Sequence, residues 1–450
     1  MNTHSQLARF GLFDARVPRY TSYPTAPHFA GGIGPDTFAG WIAAIAPGLA
    51  ISLYVHVPFC RRLCWFCACR TQGTRSDLPV IAYAKMLQAE IALLARHLPE
   101  GVTLSRLHWG GGTPTLLGPG LISDLAGAIF RGTPLAEGAE FSVEIDPNEI
   151  DAARLDALAA AGMNRASIGV QDFDPEIQKA IGREQSFELT RDVVGMIRDR
   201  GVKSLNADIL FGLPQQTKAR IADSVGKLVS LAPDRVALYG YAHVPWMSRR
   251  QQMIPSDAMP TPVERLGLYE VARDLFLTDG YAEIGIDHFA RPSDGMAVAA
   301  RTGHLRRNFQ GYTDDTAPTL VGLGASSISR FPQGYAQNAS GTSDHTQAIR
   351  AGRFSTHRGH AFDGEDRLRG RIIEALMCDF RVERAELAGF GIETAKVEAM
   401  LRRVAEAFPG MVTLDAEALV ILPEGRPLTR MIARGFDAYD QGKAQHSAAI

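Results

Sequence analysis

Short runs in which apolar side chains alternate with polar ones recur along the first two-thirds of the chain, separated by stretches with helical spacing. The strand-like runs are ISLYVHVP (51–58), RLHWGGG (106–112), EFSVEIDP (140–147), NRASIGVQDF (164–173), SLNADILFGLP (204–214), RVALYGYAHVP (235–245) and YAEIGIDHFA (281–290). The clearest helical stripe runs from Pro79 to Leu98 and puts Ala84, Leu87, Ile91, Leu94 and Leu98 on one face. DAARLDALAAAG and SFELTRDVVGMIRDRG repeat the pattern, each closing on a glycine suited to a helix C-cap. Strand and helix in alternation predict an α/β fold with a parallel sheet and crossover helices. A barrel and a doubly wound sheet both satisfy that pattern, and the unusual residues decide between them. The cysteine loop, Gly110–Gly112, Glu144, Gln171, Asp208 and Ala242 fall near the C-terminal ends of successive runs, the rim where barrels place their chemistry. The expectation is a partial (β/α)6 TIM-type barrel over residues 46–295.

The flanks read differently. Residues 1–45 contain RVPRYTSYPTAPHF and predict an ordered N-terminal arm over the active site. Residues 296–360 are expected to connect and to complete that site. From 361 to 450, RLRGRIIEALMCDF and AKVEAMLRRVAEAF have amphipathic helical spacing, and MVTLDAEALVILPEGRPLTRMIARGFDAY reads as a hairpin followed by a helix. A small, mainly helical, winged-helix-like C-terminal domain fits them. The uncharged run from Trp41 to Cys60 resembles a membrane span in length, but Pro47 and Gly48 interrupt it, so we read helix, turn, strand and no membrane. The first twenty residues lack the apolar core of a secretion signal.

At 450 residues, 46% hydrophobic and 21% charged, the composition is globular. A net charge of -2 provides no global field for nucleic acid, so an anionic ligand must meet a local basic patch. Of five cysteines, Cys60, Cys64, Cys67 and Cys69 crowd one loop and Cys378 stands apart. That is no secreted disulfide framework, and a reducing cytoplasm fits it better. No heptad seam is legible, so a monomer is expected.

The loop FCRRLCWFCACR carries the candidate chemistry. Structural zinc sites use separated cysteine pairs to staple distant segments, and here a zinc ion would staple nothing. A redox switch would more typically present Cys-x-x-Cys alone. Gaps of three and then two residues let three thiolates wrap three irons of a [4Fe-4S] cubane, leaving the fourth iron open to a ligand. Cys69 follows too closely to chelate the same cluster comfortably. It reads as a pocket-lining catalytic thiol, with a small buried hydrophobe as the plain alternative.

Cys-x3-Cys-x2-Cys, with Phe66 before the last cysteine and GGGTP after the second strand, resembles the radical S-adenosylmethionine (SAM) enzymes. Within them, PRYTSYPTA, YVHVPFC, LHWGGGTPT, SVEIDP, GVQDF, FGLPQQT, YAHVP, DHFARP, RRNFQGYT and GFDAY resemble the oxygen-independent coproporphyrinogen III oxidases along nearly the whole chain. One departure is Ala68, where that family commonly has glycine between the last two cysteines.

The resemblance implies conversion of two propionates of coproporphyrinogen III to vinyl groups in heme biosynthesis, by a 5′-deoxyadenosyl radical. It implies Cys60, Cys64 and Cys67 as cluster ligands, and Tyr54, Gly111, Glu144 and Ile328 around a first SAM. Phe66, Gly112, Thr113, Gln171, Arg183, Asp208 and Ala242 match positions around a second SAM. An electron donor such as flavodoxin or ferredoxin is the expected partner. Arg19 and the Arg306-Arg307-Asn308 run are candidate partners of the substrate carboxylates, since arginine suits forked recognition. His56 reads equally as a satisfied core histidine or a catalytic one. Two competing functions use the same scaffold: a heme chaperone, opposed by Ala68-Cys69 and the RYTSYPT arm, and a heme-opening radical methyltransferase, opposed by NFQGY.

Overall fold

The computed structural model describes residues 3–439 and 447–450, so the first two residues of the expected arm and 440–446 of the C-terminal domain lie outside it. Six strands lie side by side and parallel in chain order: β1 (Ala50–Val57), β2 (Thr103–Gly111), β3 (Leu135–Ile145), β4 (Arg165–Gln171), β5 (Ser204–Phe211) and β6 (Arg235–Gly240). Helices Leu78–His97, Pro119–Gly132, Ala152–Ala160, Phe187–Asp199 and Lys218–Ser230 cross between them. Their starts are written in the sequence. Asp151, Ser186 and Thr217 each accept the backbone N–H three residues on, which satisfies an otherwise orphaned donor. Helix Leu78–His97 is long and apolar enough to cross a membrane. It packs on the sheet instead, burying Val80, Ala84, Leu87, Ile91 and Leu94 in the barrel core.

The strand period of two separates the faces. Ile51, Leu53, Val55, Trp109, Phe141, Val143, Ile168, Ile209 and Leu238 point to the helices and are buried. The alternate positions, Ser52, Arg106, His108, Glu140, Ser142, Glu144, Arg165, Ser167, Asn206, Asp208 and Tyr239, line a cavity of about 140 Å³ inside the barrel. Barrel interiors are ordinarily filled by branched apolar residues. This one is polar, and Arg106, Glu140, Arg165, Arg235, Asp294 and Asp314 join in an ion network across it.

Two expectations need revision. Residues 281–290 are not one strand: Gly285, at φ +56°, breaks the run into the antiparallel pair Ala282–Ile284 and His288–Ala290. Residues 296–360 are more than a connector. Leu320–Leu323 pairs in parallel with β1, and Ile328–Phe331, Gly334–Asn338 and Thr356–Ala361 extend the sheet antiparallel to twelve strands.

The N-terminal segment is shared between two cores. Leu7, Leu12, Val17, Tyr20 and Tyr23 are buried with Leu368, Ile372, Leu376 and Ile432 of the C-terminal domain, whereas Phe38 and Ile42 of helix Pro35–Ala43 join the barrel core. The C-terminal domain pairs helices Asp366–Asp379, Thr394–Ala407 and Thr429–Arg434 with three antiparallel strands, Arg381–Glu383, Val412–Leu414 and Ala418–Ile421.

Candidate active site

Beyond β1 the chain becomes a loop pinned at both ends, because Phe59–Cys60 pairs with Gln72–Gly73. Its middle is held by Trp65, whose N–H donates to Ile181 O at 2.9 Å. Gly182, at φ +67°, lets the Trp65 ring approach so closely that a Cβ there would meet it at 2.7 Å. Cys60, Cys64 and Cys67 are half-buried in this loop, and each sulfur has its own attendant. Thr113 hydrogen-bonds the Cys60 thiol, Arg183 Nη1 donates to Cys64 Sγ at 3.5 Å, and Cys69 N donates to Cys67 Sγ at 3.4 Å. Burial pushes Cys60 up to about 11 and raises Cys64 as well. Cys67 is lowered to about 6, chiefly because the Cys69 thiol donates to it, against the opposing effect of burial. Cys69 is raised by that same bond. Its surface is exposed to solvent. Ala68 is not among the residues with positive φ, so its methyl group is accommodated.

The glycines that close β2, Gly110 and Gly111, and Gly112 just beyond it lie beside this loop. Gly111 has φ +108°, and a Cβ there would meet His56 Cε1 at 2.4 Å. Gly111 N donates to Glu144 Oε2 at 3.0 Å, and His108 Nε2 lies 3.3 Å from Glu144 Oε1. Burial works to raise the Glu144 carboxyl, but His108 and the Gly111 N–H outweigh it and hold the group below its ordinary range. Tyr54 stacks on His108 with ring centres 5.7 Å apart and reaches His56 Nδ1 with its hydroxyl at 2.8 Å. His56 Nε2 lies 3.2 Å from Arg70 O. A carbonyl can only accept, so Nε2 carries the proton and Nδ1 accepts from Tyr54. His56 is thus a satisfied, neutral histidine tying β1 to the cysteine loop, and burial lowers its pKa.

The remaining expected residues approach from the other strands. Asp208 sits in the middle of β5, not at its C-terminal end, and shares the barrel cavity with Glu144. Burial is the chief cause that raises its carboxyl to about 7, against the hydrogen bond from Asn206. Gln171 closes β4 at φ +67°, beside a register shift against β5. Arg183 donates to Asp146, Gly169 O and Gln185 as well as to Cys64, while its Nε is buried without a partner. Gln251 Nε2 donates both to Phe66 O at 2.9 Å and to Ala242 O at 3.1 Å, joining two expected positions through a residue we had not singled out. Ile328 packs against Gly322, which is in register with Tyr54. Arg306 turns to the Gly303 and Leu305 carbonyls. His108, Asn206 and Tyr239 were also not anticipated. Their signal was present, as polar residues at every second position of strands that otherwise read as apolar.

Among the described residues, no three His, Cys, Asp or Glu side chains surround a point where a single metal ion would sit. The ligands of a cubane's three irons stand farther apart than those of one ion, and three thiols on one loop fit that larger group. The glycines let the backbone of β2 pass directly against His56, Glu144 and Phe59, and the unpartnered Arg183 Nε provides a donor beside the thiols.

The family model of the Radical SAM superfamily matches residues 54–228. Over the full length of both chains, the protein is 68% identical to the oxygen-independent coproporphyrinogen III oxidase of Paracoccus denitrificans. It is 38% identical to the Escherichia coli enzyme of that name, over 98% of this chain and 96% of the other. The crystallised coproporphyrinogen III oxidase HemN of Escherichia coli, described as a radical SAM enzyme, superposes with a TM-score of 0.89 at 36% identity, covering 95% of this chain and 100% of that one.

Proposed function

The chain belongs to the oxygen-independent coproporphyrinogen III oxidase family of radical SAM enzymes, and from that premise we propose how its own residues carry out the oxidative decarboxylation of coproporphyrinogen III to protoporphyrinogen IX. The observation that carries the reading is the convergence of three thiols, a glycine cradle and Glu144 at one mouth of the barrel. When bound, the [4Fe-4S] cluster and SAM supply a 5′-deoxyadenosyl radical able to take a hydrogen atom from a propionate β-carbon, after which CO₂ and one electron depart and a vinyl group remains.

Cys60, Cys64 and Cys67 would hold the cluster. Tyr54, Gly111, Glu144 and Ile328 would surround the first SAM, with the ionised Glu144 able to accept from an ammonium or ribose hydroxyls. Phe66, Gly112, Thr113, Gln171, Arg183, Asp208 and Ala242 would surround a second SAM, where the free Arg183 Nε meets a carboxylate and Asp208 an ammonium. Cys69, bonded to Cys67 and exposed, would be the thiol beside the cluster that does not ligate it. The cysteine loop carries exposed Arg62 and Arg70, within reach of an acidic reductant such as flavodoxin or ferredoxin. A cytoplasmic monomer completes the reading.

Anaerobically reconstituted protein with reductant and SAM is expected to make protoporphyrinogen from coproporphyrinogen and to release CO₂, read by porphyrin fluorescence after oxidation and by trapped gas. Stoichiometric heme binding with no 5′-deoxyadenosine formed would replace this reading by the chaperone.

Asp208 supplies a second test. Its folded pKa of about 7 lies above the ordinary 3.8. Between those values the folded state binds more protons than the unfolded state, so the group weakens the SAM-free protein progressively as pH rises from about 4 to about 7. Some three pK units correspond to roughly 4 kcal/mol at most. Asp208→Asn is therefore expected to raise the Tm of SAM-free protein most at pH 8, by less than half as much at pH 5, and hardly at all at pH 4, with iron content intact. A lower Tm at pH 8, or loss of iron, would remove Asp208 from the SAM wall.

A further inference from the structure

A cavity of about 620 Å³ opens between the end of β6, the helix Pro262–Thr278, the segment Pro423–Arg430 and residues 447–450. Small-molecule sites commonly span about 300–1,000 Å³. Ala242 is on its wall, so it adjoins the mouth of the barrel.

Arg19, Arg265, Arg307 and Arg430 line this cavity, and Asp287 is the inner carboxylate facing them. Glu283 is taken by Arg273 and Arg426, and Glu270 and Glu424 lie at exposed positions. Arg265 donates to Ile450 O, Gly212 O and Tyr241 O. Arg430 donates to the carbonyls of Val17, Pro18, Ala448 and Ala449. The acceptors of Arg430 are all neutral backbone carbonyls, which offer its charge no counter-ion, whereas Arg265 also reaches an oxygen of Ile450, the last residue of the sequence. Burial, reinforced by the charge of Arg19, lowers Arg265 to about 10 and Arg430 to about 9.

The other two arginines have donors to spare. Arg307 is buried, its Nε and Nη1 have no hydrogen-bond partner, and Asp287 Oδ1 is 3.7 Å away, beyond hydrogen-bond reach. Arg19 spends Nη2 on Gly240 O at 2.7 Å. It is enclosed by the two domains yet exposes surface, as a side chain facing an internal opening does. Tyr239, on the wall of the barrel cavity, feels the charges of Asp208 on one side and of Arg307 and Arg19 on the other. A buried guanidinium with unused donors calls for an acceptor, and a planar carboxylate matches its fork.

We propose that Arg19 and Arg307 receive carboxylates of the tetrapyrrole substrate in this cavity, while Arg430 and Arg265 add positive charge around them; the assignment rests on the activity proposed above. Arg307 would hold the substrate side chain nearest the barrel and Arg19 one nearer the opening.

The test uses coproporphyrin III, the fluorescent oxidised form of the proposed substrate, titrated into cluster-free full-length protein. Arg307→Gln and Arg19→Gln are each expected to raise its Kd at least tenfold, with Arg307→Lys in between and Arg200→Gln, on a remote helix, unchanged. The tetramethyl ester should bind wild type at least tenfold more weakly than the free acid. In the reconstituted enzyme the same Gln variants should raise KM while substrate-free SAM cleavage persists. An unchanged Kd in both folded Gln variants, or an ester that binds as well as the acid, overturns the assignment. Should Arg307→Gln fail to fold by circular dichroism, Arg19→Gln and the ester comparison still decide. Wild-type turnover with unchanged variants would sink the carboxylate site alone, whereas absent turnover would sink the proposed activity.

Discussion

Cys64→Ala is expected to abolish iron loading, from about four irons per chain to below one, and to take turnover to background. Cys69→Ala should keep its iron. The two thiols lie on the same loop, and their surroundings separate them. Cys64 is held against the Arg183 guanidinium, itself fixed by Asp146, Gly169 and Gln185, so its sulfur is presented at a defined place where the guanidinium opposes the upward push of burial on the thiol. Cys69 hands its hydrogen bonds to Cys67 and stays protonated, the state of a donor and not of a ligand. Loss of a proton donor typically costs about 10²–10⁴-fold in rate. Cys69→Ala should therefore lose turnover by that order while its anaerobic visible and EPR spectra match wild type. Equal loss of iron in the two variants would make Cys69 a ligand.

What could be read in advance follows from how local each signal is. The parallel strands and their helices are coded by short-range period and capping, so β1 to β6 fall within a few residues of the expected runs. The cysteine loop is a contiguous motif and was equally legible. Asp208 was misplaced along its strand because SLNADILF does not mark where pairing stops; only the neighbouring β4 and β6 set that boundary. The four strands between 320 and 361 escaped because they are short, three of them contain a glycine (Gly322, Gly334, Gly359), and they take their order from contact with β1 and with one another. Arg19 and Arg307 were legible as candidates, but His108, Gln251 and the accompanying Arg265 and Arg430 were invisible for a further reason. Each matters through partners far along the chain, as when Gln251 bridges Phe66 and Ala242. Spacing along a sequence carries no information about such meetings.

Gly112→Ala is expected to cost at least tenfold in both iron content and SAM cleavage, and Gly120→Ala to cost nothing. The substitutions are chemically identical, and the structure gives them opposite signs. At Gly112 a Cβ would stand 2.6 Å from Phe59 O, 2.8 Å from Phe59 N and 2.9 Å from Val57 O. All three are backbone atoms, so no side chain can rotate away, and overpacking of this kind typically costs about 1–3 kcal/mol. The displaced segment leads directly into Cys60. The bonds Gly112 N to Val57 O and Thr113 N to Phe59 O, at 2.9 and 2.7 Å, couple the cradle to that cysteine. Relief of the clash must therefore move either Cys60, the first of the three proposed ligands, or the glycine floor. Gly120 lies in helix Pro119–Gly132 with nothing within 4 Å of its Cβ position, and alanine there should stabilise by up to about 1 kcal/mol through helix propensity. Iron assay, SAM cleavage and thermal melts on both variants provide the comparison. Wild-type iron and SAM cleavage in Gly112→Ala would mean that the cradle and the cysteine loop move independently, and the coupling of cofactor floor to cluster loop would have to be abandoned.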